Sequence, residues 1–230
     1  VRRRRVRAAA AAALVTILAS ACSPATAGSG VTMLTPLVVV LHGLGGSGGD
    51  TRDFGFDAFE GLLVAHPDGV ERSWNAGACC GAAHEQGVDD VARLDALVAR
   101  MVAEDGVDPD RVYAVGFSNG AMMAYAWACG SRTLAGIGVV GGALVAPCPD
   151  PGPVAVVAVH GDADLSVPID GGVGPRSTTG YDYPSLDESL APFPDAERIV
   201  LPGVGHEWRP GTGDVLWQRL RTAVRTAGDR

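Results

Sequence analysis

The sequence has no lysine, and its 18 basic residues, all arginine, face 26 Asp and Glu for a formal net charge of −8. Five of those arginines stand among the first seven residues, so the chain past residue 21 carries about −13. A body this acidic argues against nucleic acid or other polyanions as partners. Without a lysine, the glycine-rich stretch His42-Gly43-Leu44-Gly45-Gly46-Ser47-Gly48-Gly49 fails the G-x-x-x-x-G-K-[ST] pattern of a phosphate-binding loop. No histidine stands at ligand spacing beside Cys79-Cys80, so no metal site is expected there. Neither an internal repeat nor a heptad run occurs. At 230 residues the chain is long enough for one α/β domain with a full core and too short for two.

What is present begins with a basic cluster followed by an Ala-rich apolar run from Ala8 to Ala21. This pattern predicts an export signal over residues 1–21, too short and too Ala-rich for a spanning helix, then a linker over 22–35 and a folded domain over 36–230. Leu18-Ala19-Ser20-Ala21-Cys22 resembles a bacterial lipobox, which would make Cys22 the lipid-modified end of the mature chain; simple cleavage near Ala21 or Ala27 is the other reading. The expected location is extracellular or at the cell surface, with membrane contact only through that anchor, and a monomer is expected. Cys79, Cys80, Cys129 and Cys148 then form an even set that suggests two disulfides in an exported chain. Joining Cys79 to Cys80 would close a very small ring, so each is expected to bond a distant partner, with free buried thiols as the alternative.

From Pro36 onward, apolar runs alternate with helix-like segments, as in a mostly parallel sheet with helices on both faces. Strands are predicted at Leu37–Leu41, Leu62–Ala65, Arg111–Gly116, Gly138–Gly141, Val154–Val159 and Ile199–Leu201. Asp89-Asp90 opens a helix with one buried face, and these acids read as caps. Asp108-Pro109-Asp110 is expected to break the chain. Gly120–Cys129 and Val215–Ala227 read as helices, and Ser185-Leu186-Asp187-Glu188 as a capping box.

Gly116-Phe117-Ser118-Asn119-Gly120 matches G-x-S-x-G between a predicted strand and a predicted helix, where a sharp turn would present the Ser118 hydroxyl. A serine needs a base to take its proton, and the base needs a carboxylate to fix its tautomer. In the chain order Ser, acid, His, the histidines at 42, 66 and 84 come too early, and His160 leaves no acid-bearing strand end ahead of it. His206 remains as the base. Asp164, a few residues past the strand end at His160, is preferred as the acid over Asp162, with Asp170 third. The oxyanion of acyl transfer would be met by the backbone N–H groups of Asn119 and Leu44. His42, Trp74, Asn75 and Trp208 are candidates for lining the site, although a Trp in such a loop is as readily a packing residue.

The ordered set His42-Gly43-x-Gly45-Gly46, Cys79-Cys80-Gly81, Gly116-x-Ser118-Asn119-Gly120-Ala121-Met122, His160-Gly161-x-x-Asp164 and Gly205-His206-x-Trp208 resembles the poly(3-hydroxybutyrate) depolymerase-like esterases, which are grouped with feruloyl and acetyl-xylan esterases. The resemblance runs from about Leu37 to Trp208. It implies an α/β-hydrolase fold, a triad of Ser118, Asp164 and His206, and a serine carboxylic-ester hydrolase working through an acyl-enzyme without cofactor, on polyhydroxyalkanoate-like or polysaccharide-linked esters. The span from Pro168 to Pro202 is shorter than in such esterases and lacks their further Trp and Cys, which leaves the substrate open. An acyltransferase using the same triad, and an inactive cell-surface binding module, are the other readings.

Overall fold

A computed structural model describes residues 34–226. The predicted export signal and Cys22 lie outside the described residues. Six strands form one sheet in the order β2-β1-β3-β4-β5-β6: β1 Thr35–Leu41, β2 Leu63–Ala65, β3 Val107–Phe117, β4 Gly136–Val140, β5 Ala155–Gly161 and β6 Glu197–Leu201. Every neighbouring pair is parallel. The helices are α1 Gly81–Glu85, α2 Asp90–Glu104, α3 Asn119–Gly130, α4 Leu186–Leu190 and α5 Thr212–Leu220.

A strand turns successive side chains to opposite faces, and β1 feeds a core on each side. Leu37, Val39 and Leu41 pack with residues of α2 and α3, whereas Val38 and Val40 pack with Leu216 and Leu220 of α5. Both faces are therefore covered, which explains the unbroken apolar run Leu37–Leu41. Helix α3, which follows Ser118, is apolar nearly all round and sinks ten of its residues into the core. The chain direction reverses its outward march between β1 and β3, so the carboxyl ends of these adjacent strands open the crevice where ligands of such sheets bind.

Three expectations are corrected. First, β3 begins at Val107 and runs through Asp108-Pro109-Asp110, where a break was expected. Its register against β1 shifts between Thr35 and Leu37, and that irregularity accommodates the proline that a regular ladder would reject. Second, the closing helix starts at Thr212 and ends at Leu220, earlier at both ends than Val215–Ala227. The chain then leaves the helical path so that the Arg225 N–H can donate to the Asp110 carbonyl.

The third correction concerns the cysteines. Cys79 bonds to Cys80 itself across a cis peptide, and Cys129 bonds to Cys148 with a Cα separation of 4.9 Å. Neither Cys79 nor Cys80 has a distant partner, because the end of α3 and the segment after β4 use each other's cysteine. The loop from Ser73 to Gly87 is pinned by hydrogen bonds instead. The Asn75 N–H donates to Asp90, the Asn75 amide to the Val88 carbonyl, and the Ala78 N–H to the Val145 carbonyl. Asp89 caps α2 by accepting from the Ala92 N–H, while Asp90 is buried and holds both Asn75 and Arg93.

Candidate active site

Ser118 sits between β3 and α3 with φ 55° and ψ −120°, a conformation that costs a non-glycine residue about 1–3 kcal/mol. Tight packing on either side holds it there. A Cβ at Gly116 would lie 2.2 Å from the Gly120 carbonyl oxygen, and one at Gly120 would lie 2.2 Å from the Leu41 oxygen. The two glycines thus let the start of α3 press against β3 and β1, while the Ser118 N–H is held by the Val140 carbonyl at 2.9 Å.

The turn points the Ser118 hydroxyl at His206, whose Nε2 lies 2.9 Å from Oγ. On the other side of the ring, Nδ1 lies 2.6 Å from Asp164 Oδ2. Burial alone would raise the Asp164 pKa. Hydrogen bonding from His160, His206 and the Val167 N–H outweighs burial and holds the carboxyl well below its ordinary range. An ionised Asp164 can only accept, so Nδ1 of His206 carries a proton, and in the neutral ring Nε2 presents its lone pair to the serine.

The remaining oxygen of Asp164 accepts from the N–H groups of Ser166 and Val167 at 2.8 and 2.9 Å. Asp162 does something different: its carboxylate accepts from the Gly203 N–H at 2.6 Å, tying the loop that carries His206 to the turn after β5. His160, set aside above as a base, is buried with Nε2 donating to the Val167 carbonyl at 2.8 Å and standing 3.5 Å from Asp164. It braces the acid turn. No sequence pattern marks this, since a histidine closing an apolar strand looks the same whether it is structural or catalytic.

Leu44 follows β1 and borders the same cleft as Ser118. Its N–H has no acceptor among the described residues, and the Asn119 N–H, opening α3, has none within its helix. Both proposed oxyanion donors are therefore uncommitted, and both residues border the cleft. The Asn119 side chain has a role that sequence reasoning missed. Its Oδ1 accepts from the Trp74 N–H at 2.8 Å, and its Nδ2 donates to the Trp74 carbonyl at 3.0 Å.

The four candidate lining residues do not line the cleft of about 210 Å³ beside Ser118. His42 and Trp74 are buried with their rings 5.0 Å apart. The Trp74 indole N–H donates to the His42 carbonyl, and His42 Nε2 accepts from the Gly69 N–H. Asn75 is spent on Asp90 and Val88. Trp208 stacks on Phe54 at 3.9 Å; Phe54 meets Phe117 edge-on, and Phe117 lies 4.8 Å from the His206 ring. These aromatics seat the imidazole from behind. The walls are supplied instead by Leu44, Phe117, Met122, the Cys79–Cys80 turn through Cys80, and the segment from Ser166 to Tyr183. Among the described residues no group of three His, Cys, Asp or Glu could hold a metal ion.

No protein-family model matches the sequence. The chain is 36% identical over 159 residues to NocK of Nocardia uniformis subsp. tsuyamanensis, a protein assigned to the esterases; the match covers 66% of this chain and 45% of NocK. It is 35% identical over 115 residues to feruloyl esterase C of Emericella nidulans, covering 49% of this chain and 38% of that protein. The chain thus spans less than half the length of these curated relatives. Among solved structures, the phospholipase/carboxylesterase of Dyadobacter fermentans superposes with a TM-score of 0.59 at 21% identity, covering 83% of this chain and 91% of that one. This chain therefore has the α/β-hydrolase fold and is related to esterases.

Proposed function

We propose that this protein is a serine carboxylic-ester hydrolase in which Ser118 is the nucleophile, His206 the base, Asp164 the orienting acid, and the N–H groups of Leu44 and Asn119 the oxyanion hole. The observation that carries this reading is the unbroken relay from Ser118 Oγ through His206 to an ionised Asp164, set on a strained turn beside two uncommitted backbone donors. His206 Nε2 takes the serine proton as Oγ adds to the ester carbonyl, and the N–H pair meets the negative charge that develops on the carbonyl oxygen. Collapse breaks the ester C–O bond, with His206 returning the proton to the departing alcohol. Water then enters by the same route in reverse, releasing the acid and restoring Ser118.

Small or polysaccharide-linked esters are the proposed substrates, supported by the similarity to feruloyl esterase C and by the modest size of the cleft. Export and a lipid anchor at Cys22 belong to the same proposal, on the strength of residues 1–22 alone; radioactive palmitate incorporated by wild type and not by Cys22→Ala is the expected result.

The decisive experiment is covalent labelling by a fluorophosphonate together with turnover of p-nitrophenyl acetate. Wild type is expected to label and turn over, and Ser118→Ala to do neither. A wild-type chain inert in both assays would sink the reading.

A further inference from the structure

Arg176 borders the same cleft as Ser118 and His206, and none of the other residues around that cleft carries a carboxylate. It makes no ion pair among the described residues, whereas eight other arginines are paired with Asp or Glu. Arg72, Arg100 and Arg221 also lack an acidic partner among the described residues, but of these four only Arg176 borders the cleft. The backbone that carries Arg176 is held in place. The Arg176 N–H donates to the Leu165 carbonyl at 2.8 Å, one residue past Asp164, and the Ser177 N–H closes a turn onto Gly174 at 2.9 Å. An antiparallel bridge between Gly172 and Tyr183 ties the base of the segment. Hydroxyls continue the wall: Ser177 reaches Thr179 at 3.1 Å, and Thr179 reaches Tyr183 at 2.7 Å.

From this geometry we infer that Arg176 is a specificity residue that binds a free carboxylate on the substrate, so that the preferred esters are anionic ones. The inference rests on the esterase reading above and adds the class of ester. A guanidinium fork fits a carboxylate through two parallel hydrogen bonds, and the neighbouring hydroxyls offer further donors. The net charge of the chain would otherwise repel such substrates, which makes one local cation at the cleft decisive for their capture.

The test compares kcat/KM for two matched pairs. On the alcohol side these are 4-acetoxybenzoate and its methyl ester, and on the acyl side the 4-nitrophenyl monoester of adipate and 4-nitrophenyl hexanoate. Arg176→Gln is expected to lower the anionic-to-neutral ratio by about threefold to tenfold in at least one pair, the range of a charge-assisted contact at a partly exposed site. Arg176→Glu should lower it further, and 0.5 M salt should shrink the wild-type preference as screening requires. The pair that responds tells which side of the ester bears the carboxylate. Ratios unmoved by both variants in both pairs would overturn the inference. Labelling by a neutral fluorophosphonate reports the triad separately, so failure of the esterase reading is told apart from failure of this one.

Discussion

Asp164 divides its two oxygens between the His206 ring and the backbone of its own turn. Asp164→Asn is expected to lower kcat on the order of 10⁴-fold, because an amide can satisfy His206 in the wrong tautomer. Asp162→Asn, which only weakens the tie to Gly203, should cost far less; steady-state kinetics on p-nitrophenyl acetate separates them, and the reverse order would exchange their roles. The depressed pKa of Asp164 also has a stability consequence with a definite sign. A carboxyl whose folded pKa lies below its unfolded value, about 3.9, stabilises the fold above that pH and loses the contribution as pH falls through the folded value. Urea melts of wild type and Asp164→Asn are therefore expected to differ near neutrality and to converge progressively below about pH 4.

The strand-turn-helix unit around Ser118 is where sequence and structure agree most closely, because its requirements are local. A nucleophile with positive φ and close backbone approach on both sides leaves a fixed glycine signature, and β3 and α3 announce themselves by apolar runs. Gly120→Ala should expose that constraint: a methyl group 2.2 Å from the Leu41 oxygen forces the unit apart, and a loss of about 1–3 kcal/mol in denaturant melts together with loss of fluorophosphonate labelling is expected. The Cys129–Cys148 bond ties the far end of α3 across a sequence separation of 19, worth about 3 kcal/mol by loop entropy, so the double Cys→Ser variant should melt correspondingly lower. Less was legible where the outcome depends on contacts between remote segments. The pairing of Cys79 with Cys80 turns on a peptide conformation that composition does not encode, and Trp74 points inward because Asn119, 45 residues away, clamps its backbone. The early start of β3 depends on a register shift against β1. Arg176 stands in the span from Pro168 to Pro202, where nothing periodic marks which side chain meets the cleft.

Across the whole sheet, the chemical parts hang from the carboxyl ends of separate strands: the Leu44 loop from β1, Ser118 from β3, Asp164 from β5 and His206 from β6. These supports are unequal. β1 and β3 lie inside the sheet and are largely buried, while β6 is an edge strand, has only β5 as a bonded neighbour among the described residues and leaves all of its side chains partly or fully exposed. Such an edge opens at a lower free energy than the interior. Loss of the proposed esterase activity in rising urea is accordingly expected to precede the loss of far-ultraviolet ellipticity, and hydrogen exchange should find β6 amides less protected than those of β3; coincident transitions would show that β6 opens only with the whole. If the order is as expected, the working lifetime of the protein is set by a five-residue border strand and not by its core, and effort spent on durability belongs at that border.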